Sequence, residues 1–209
     1  MVRRKFLLGA RFALLFLLYV AVVLFFSDSC KSNSKVCVKW DLDGDGIAEQ
    51  YVLTEHMLTI TEGSKIIWMS PESYHIDSFD LGDVDNDGKD NLVMSLWKKG
   101  SFGKFEPFWH GEKNIDYKNH LFVYKLEGNK LKNVWCSSNL DHPILSFSIQ
   151  DIDGDKLNEL VVEEGQYKKV SKQKYAADSD GPVRTTVWKW DQWGFYLADS
   201  LTTKEQLKD

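Results

Sequence analysis

Three short acidic runs constrain this chain most, because each places aspartate at alternate positions around a turn. They begin at Asp41, Asp83 and Asp151 and read Asp-Leu-Asp-Gly-Asp-Gly, Asp-Val-Asp-Asn-Asp-Gly and Asp-Ile-Asp-Gly-Asp-Lys. Crowded carboxylates repel one another, which raises their pKa values unless a cation lies among them. Hard oxygen ligands from one short loop suit Ca²⁺, which accepts roughly six to eight oxygens at flexible angles. The runs therefore predict calcium-binding loops.

Alternating apolar and polar residues flank each acidic run, which predicts a strand on either side of every loop. A further hairpin follows in each copy, and Ser70 and Ser137 fall at equivalent places in the first two copies. Units of about 40–45 residues with four strands are typical of propeller blades. The sequence thus predicts an all-β fold, a β-propeller-like array of about three four-stranded antiparallel blades with calcium-loop hairpins, preceded by one N-terminal hydrophobic helix.

This pattern resembles the FG-GAP/VCBS repeat family, whose blades build the propeller of integrin α-subunits and of many bacterial surface proteins. The resemblance covers about 36–198, and in each copy Cys37, Phe79 or Phe147 lies four places before the first aspartate. The family's loops bind Ca²⁺ through the side chains at positions one, three, five and nine and the carbonyl at position seven. The calcium ligands that the resemblance implies are Asp41, Asp43, Asp45, Ile47, Glu49, Asp83, Asp85, Asp87, Lys89, Asn91, Asp151, Asp153, Asp155, Leu157 and Glu159.

Two loop positions depart from the family pattern. Lys156 stands at the sixth position of the third loop, where a glycine with positive φ is usual. Asn91 lacks the negative charge of a carboxylate at position nine, which should weaken the second site. Three blades are also fewer than the usual four to eight of a propeller. The array therefore forms a small propeller, remains an open arc or completes a ring as a homodimer.

An EF-hand and a metal-free turn each account less well for the acidic runs. An EF-hand needs a bidentate glutamate at position twelve and flanking helices, whereas that position holds Val52, Met94 and Val162. A metal-free turn accounts for one Asp-Gly pair, but it does not account for three alternating carboxylates in each of three loops. Calcium loops remain the favoured hypothesis.

The N-terminus predicts a membrane segment. Basic residues at 3–5 precede an apolar run at 6–26 that is interrupted only by Gly9 and Arg11, and about 20 apolar residues span a bilayer. The positive-inside rule keeps the basic end in the cytoplasm and places the rest outside. A retained single-pass anchor is favoured, while a cleaved signal of a secreted protein and lipid attachment at Cys30 stay open. The predicted organisation is a signal anchor or signal segment at 1–30, the repeat domain at 31–200 and a polar tail at 201–209.

The net charge limits the classes of binding partner, and the cysteines leave two bonding states open. The formal net charge is −5, and four of the 26 basic residues lie in the first eleven positions, so the remaining chain is more acidic still. An acidic body argues against nucleic acid as a partner. Cys37 and Cys136 either form a disulfide in an oxidising compartment or remain free thiols in predicted strands.

Two long insertions follow the second strand of the later copies. The first is rich in aromatic residues, and its predicted partner-binding residues are Phe102, Phe105, Phe108, Trp109 and His110. Aromatic side chains are favoured at interface anchors, although these could equally fill the middle of a small propeller. The second insertion, 164–185, carries four lysines between 168 and 174 and predicts a solvated, mobile loop.

The sequence favours a binding module over an enzyme. It contains no zinc-ligand spacing, no Gly-x-Ser-x-Gly and no phosphate-binding loop, so we assign no catalytic residue. The first hypothesis is an extracytoplasmic, membrane-tethered calcium-binding repeat module that binds a protein or cell-envelope glycan. The alternative is a propeller-type enzyme acting on polysaccharide through carboxylates of the insertion loops.

Overall fold

The structure, a computed structural model, describes residues 36–101 and 115–201. The strands in chain order are β1 (Val36–Trp40), β2 (Glu49–Thr54), β3 (Met57–Glu62), β4 (Lys65–Met69), β5 (His75–Gly82), β6 (Asn91–Lys99), β7 (Tyr117–Glu127), β8 (Lys130–Cys136), β9 (Ile144–Gln150), β10 (Glu159–Glu164), β11 (Tyr167–Ser171), β12 (Lys174–Ala177), β13 (Arg184–Asp191) and β14 (Gly194–Leu201). The all-β prediction is confirmed. None of these described residues forms a helix that is long and apolar enough to cross a membrane, and the predicted N-terminal helix at 1–30 lies outside them.

The strands form three sheets, as the repeat predicts. The first sheet has the order β1-β2-β3-β4, and the third has the order β14-β13-β10-β9. The second sheet has six strands. Its order is β11-β12-β7-β6-β5, and β8 also pairs with β7. Pairing is antiparallel except for one parallel contact between β12 and β7. The described strands form neither a closed barrel nor a closed propeller.

The second sheet lies between the other two, and its strand β6 is buried on both faces. Leu92 and Met94 pack with Tyr51 and Leu58 of the first sheet, whereas Val93 packs with residues of the third sheet such as Leu160. Successive side chains of a strand point to opposite faces, so alternate residues of β6 serve different cores. This explains why β6 is continuously apolar at 92–94 while β2 alternates.

The second insertion forms the β11–β12 hairpin, so the prediction of a loop is wrong, although β11 is largely exposed to solvent as predicted. Tyr167 and Tyr175 are partly buried and give the hairpin a packed side. The Tyr167 ring lies 5.8 Å from the Trp97 ring, and Lys118 Nζ lies 4.8 Å from the centre of Tyr167 and 5.1 Å from that of Tyr175. Such aromatic and cation–π contacts each contribute about 0.5–1.5 kcal/mol.

Two serines occupy equivalent places in the first and second sheets, as the repeat predicts. The Ser70 amide donates to the Leu58 carbonyl at 2.9 Å, and its hydroxyl accepts the Leu58 N–H at 3.1 Å. Ser137 makes both bonds with Leu121, each at 3.0 Å. The repeat therefore extends to individual side-chain hydrogen bonds.

The two cysteines of the described residues do not pair with each other. Cys37 is disulfide-bonded, whereas Cys136 carries a free thiol whose pKa is raised by burial. A bridge between Cys37 and Cys136 is therefore wrong, and so is a free thiol at Cys37.

Candidate metal centres

Each acidic run forms a tight turn that joins the first two strands of its sheet, at β1–β2, β5–β6 and β9–β10. Aspartate side chains stabilise such turns by accepting hydrogen bonds from nearby backbone amides. In all three turns the first aspartate accepts the N–H five residues later, from Gly46 to Asp41 at 2.8 Å, from Gly88 to Asp83 at 2.8 Å and from Lys156 to Asp151 at 3.0 Å. The three loops therefore share one backbone path.

That path needs left-handed backbone at the fourth and sixth positions of each loop. The φ angles are +74° at Gly44, +57° at Asn86 and +79° at Gly154, then +90° at Gly46, +85° at Gly88 and +71° at Lys156. Glycine adopts these angles without a steric penalty, and asparagine tolerates them better than most residues. Lys156 keeps the geometry that its loop requires, at a cost of about 1–2 kcal/mol.

The ninth-position side chains are buried and tie the start of each loop to its end. Glu49 Oε2 accepts the Leu42 N–H at 2.9 Å, and Glu159 Oε2 and Asn91 Oδ1 accept the equivalent N–H at 3.1 and 2.9 Å. Each glutamate keeps its second oxygen, Oε1, for another partner. Asn91 has no second oxygen, and its amide nitrogen is a donor that does not ligate a metal ion.

The first loop brings together all four side chains predicted as ligands. Asp41, Asp43, Asp45 and Glu49 each offer an oxygen, and these oxygens lie within 4.8 Å of one another. Glu49 Oε1 is buried and has no hydrogen-bond partner. Among the described residues, no basic side chain pairs with any of the four. Burial raises the pKa of Glu49, and the nearby charge of Asp43 raises it further.

The donor set of the first loop fits a hard divalent cation. A buried polar atom without a partner costs about 1–3 kcal/mol, and more when it is charged. A cation among the four oxygens would satisfy Glu49 Oε1 and remove the repulsion between the carboxylates. The loop borders a groove of about 860 Å³ between the first and second loops, which gives an ion a route from solvent.

The second loop gathers Asp83, Asp85 and Asp87, whose ligand oxygens also lie within 4.8 Å of one another. Lys125 of β7 reaches into this cluster, where its Nζ lies 2.9 Å from Asp85 Oδ2 and also contacts Asp87. The hydrogen bond from Lys125 lowers the pKa of Asp87, whereas burial raises that of Asp83. Asp85 Oδ1 is buried without a hydrogen-bond partner, but the other oxygen of this carboxylate is paired with Lys125. An ammonium group therefore already compensates the charge of part of this cluster.

The third loop gathers Asp151, Asp153 and Glu159, and Asp155 lies outside that group. Lys189 of β13 enters it, with Nζ 2.8 Å from Asp153 Oδ2, 3.1 Å from Glu159 Oε1 and 3.7 Å from Asp155 Oδ2. The hydrogen bond to Asp153 raises the pKa of Lys189 and lowers that of Asp153. The third cluster thus also contains a tethered ammonium.

The residues predicted to ligate through their carbonyls are Ile47, Lys89 and Leu157. Each donates its amide N–H to the aspartate two residues earlier, at 2.8, 3.1 and 2.8 Å. This bond orients the fifth-position carboxylate toward its loop. Ligation by the three carbonyls stays a prediction.

The predicted partner-binding residues lie outside the described part of the chain, and their role stays a prediction. They are Phe102, Phe105, Phe108, Trp109 and His110.

One cluster of possible metal ligands was not predicted from the sequence. His56, His75 and Asp77 each offer a ligand atom, and these atoms lie within 4.8 Å of one another. The two imidazole rings stack with centroids 3.4 Å apart and 19° between their planes. Since an imidazole lone pair lies in the ring plane, nearly parallel stacked rings cannot both point at one ion. The contact depends on a turn meeting a distant strand, so no sequence spacing could reveal it.

Fold and site together define a class: an all-β protein of three sheets, in which an acidic loop joins the first two strands of each sheet. Comparison with known proteins adds no family to this class. No protein-family model matches the sequence, and no curated protein matches it. The likeness to FG-GAP/VCBS repeats stays a prediction from the sequence.

Proposed function

We propose that this chain is an extracytoplasmic, membrane-tethered binding module whose propeller-like array of sheets is stabilised by Ca²⁺ at the first acidic loop. The segment 1–30 anchors it, and the repeat domain binds a protein or cell-envelope glycan. The observation that carries the metal site is the buried, unpartnered Glu49 Oε1 inside a group of four carboxylates.

Calcium is the ion that fits this donor set best. The ligands are carboxylate oxygens on a loop whose residues 43–47 are partly or fully exposed, so coordination can be irregular. Ca²⁺ accepts such geometry, whereas Mg²⁺ needs near-ideal octahedral ligands and gives up its water reluctantly. Free calcium is also abundant outside the cytoplasm, where the predicted anchor would place the domain.

The binding role rests on how the antiparallel strands separate the two ends of the second sheet. The acidic loop joins β5 to β6 at one end, so the connection from β6 to β7 leaves from the opposite end. That connection contains the aromatic insertion. A rigid sheet that presents an aromatic loop is a common arrangement for binding proteins.

The metal site is tested by thermal unfolding of the full-length chain in detergent, with excess Ca²⁺ or with EGTA. An ion at about 100 times its Kd adds about 2.7 kcal/mol, which raises Tm by about 5–11 °C for a domain of this size. Asp43→Asn should lose this rise. The matched control is Asp191→Asn, an exposed turn aspartate that accepts the Gln192 N–H at 2.8 Å and should keep the rise. Equal Tm values in Ca²⁺ and EGTA for the wild type would refute the proposal.

A further inference from the structure

Lys125 and Lys189 occupy equivalent places in the second and third sheets. The tenth residues of these two loops are Leu92 and Leu160. Lys125 directly follows the β7 residue that pairs with Leu92, and Lys189 directly follows the β13 residue that pairs with Leu160. The shared register brings each ammonium onto the cluster of its own loop.

The first sheet differs at this place. The tenth residue of its loop is Gln50, which pairs with Thr61. The residue that follows Thr61 is Glu62, an acid where the other two sheets have lysine. The loop that gathers the most carboxylates therefore has no basic residue at this register position.

One atom shows the consequence of this difference. Glu49 Oε1 and Glu159 Oε1 are equivalent, because Oε2 of each glutamate accepts the N–H of the second loop residue. Lys189 Nζ lies 3.1 Å from Glu159 Oε1, whereas Glu49 Oε1 has no hydrogen-bond partner. A cation is therefore built into the third loop and not into the first.

We propose that lysine ammonium groups replace the divalent ion in the second and third loops, so that the chain binds one Ca²⁺, at the first loop. This inference rests on the proposed metal site of the first loop and adds that its two homologous loops are independent of metal. A tethered ammonium competes with free ions at a high effective concentration. Its N–H groups also donate to the oxygens that an ion would need. Asn91 adds a second obstacle in the second loop, because its oxygen already accepts backbone N–H groups.

Counting bound ions tests the proposal. Equilibrium dialysis of the full-length chain against Ca²⁺ should give one ion per chain. Lys189→Gln should raise this to two, because it frees Asp153 and Glu159. Glu62→Lys should lower it to none, because it copies the lysine of the other two sheets into the first. Circular dichroism in EGTA would verify that both variants keep their strands.

The results separate this inference from the proposed function. Two or three ions on the wild type would overturn the replacement by lysine and leave the metal module intact. No ion on the wild type would overturn both the first-loop site and this inference. A single ion on a folded Lys189→Gln variant would overturn the role of Lys189.

A measurement on the wild type does not depend on any variant folding. Acetylation followed by peptide mass spectrometry reports how accessible each lysine is. Lys125 and Lys189 should react several-fold more slowly than Lys132, whose side chain is 57% exposed and pairs with Glu127 at the surface. Their rates should be the same in Ca²⁺ and in EGTA. Faster acetylation of Lys125 or Lys189 in Ca²⁺ would mean that the ion displaces the lysine, and it would overturn the proposal.

Discussion

Replacing Glu49 with glutamine should stabilise the metal-free chain and destabilise the calcium-bound chain. Glu49 is fully buried, and one of its oxygens has no partner. Glutamine keeps an oxygen to accept the Leu42 N–H and removes the uncompensated charge. Asn91 is equally buried at the same position of the second loop, where its Nδ2 has no hydrogen-bond partner. An amide therefore removes the charge there but leaves one donor unsatisfied.

The size of the effect follows from the burial of Glu49 Oε1. An unsatisfied buried group costs about 1–3 kcal/mol, so relieving about half of that in EGTA would raise Tm by roughly 1–6 °C at about 2–4 °C per kcal/mol. Saturating Ca²⁺ reverses the order, because the wild type gains about 2.7 kcal/mol at 100 times the Kd and the variant lacks a charged ligand. The assay is a pair of Tm measurements on each protein, one in EGTA and one in Ca²⁺.

The pH dependence has a defined sign. Burial raises the pKa of Glu49 above its ordinary value of 4.5. A carboxyl whose pKa is raised by folding stabilises the fold below the unfolded pKa, and this contribution is lost as the pH rises through the folded pKa. In EGTA, the Tm advantage of Glu49→Gln should therefore be full at neutral pH and shrink as the pH falls through the folded pKa.

Glu159→Gln is the matched control, since Lys189 already contacts the equivalent oxygen. Removing that charge breaks an ion pair whose carboxylate is buried, so this variant should lower Tm in EGTA. Opposite signs for the two variants would support a missing cation at the first loop only. A similar loss of Tm for both variants in EGTA would refute the reasoning, because Glu49 would then act only as a hydrogen-bond acceptor for the loop backbone.

Two further outcomes are expected. Lys156→Gly should raise the free energy of unfolding by about 0.5–1 kcal/mol in EGTA. Glycine removes the steric cost of φ +71°, and this gain exceeds the extra backbone entropy that glycine loses on folding. A loss of stability in urea titrations would contradict this expectation. The double variant Phe105→Ala with Trp109→Ala should keep the calcium-dependent rise in Tm but lose the capture of envelope glycans or proteins in a pull-down. Undiminished capture would show that the aromatic insertion has no part in the proposed function.

The acidic loops were predictable because their determinants are local. Alternating aspartates, a glycine at a left-handed position and a strand pattern on both sides all lie within about 20 residues, and the structure places 41–48, 83–90 and 151–158 between paired strands. The sixth position of the third loop shows how strong these determinants are. Lys156 adopts φ +71° there although only glycine would do so without cost.

The lysine contacts were not predictable, because they depend on register across a sheet. Glu62, Lys125 and Lys189 lie 21, 42 and 38 residues after the first aspartates of their loops. These unequal distances hide an equivalence that appears only when the third strand pairs with the second. The β11–β12 hairpin was missed for a related reason, since its tyrosines find their packing partners on distant strands.

The two loops that contain a lysine, the second and the third, are also hydrogen-bonded to each other. Asn86 of the second loop accepts the Asn158 N–H of the third at 2.6 Å, and Asn158 Nδ2 donates to the Asp83 carbonyl at 2.8 Å. These two loops therefore form a fixed joint between the second and third sheets.

The contact between the first loop region and the second is slighter, a bond from Trp40 Nε1 to Asp90 Oδ2 at 2.8 Å. A joint that uses lysine as its cation keeps its geometry at any calcium concentration, because the cation is part of the chain. A loop that needs an external ion makes its sheet respond to calcium. The first and second sheets also share an apolar core, so on the proposed assignment we expect calcium to add to the stability of the first loop, while this core holds the first sheet in place with or without the ion.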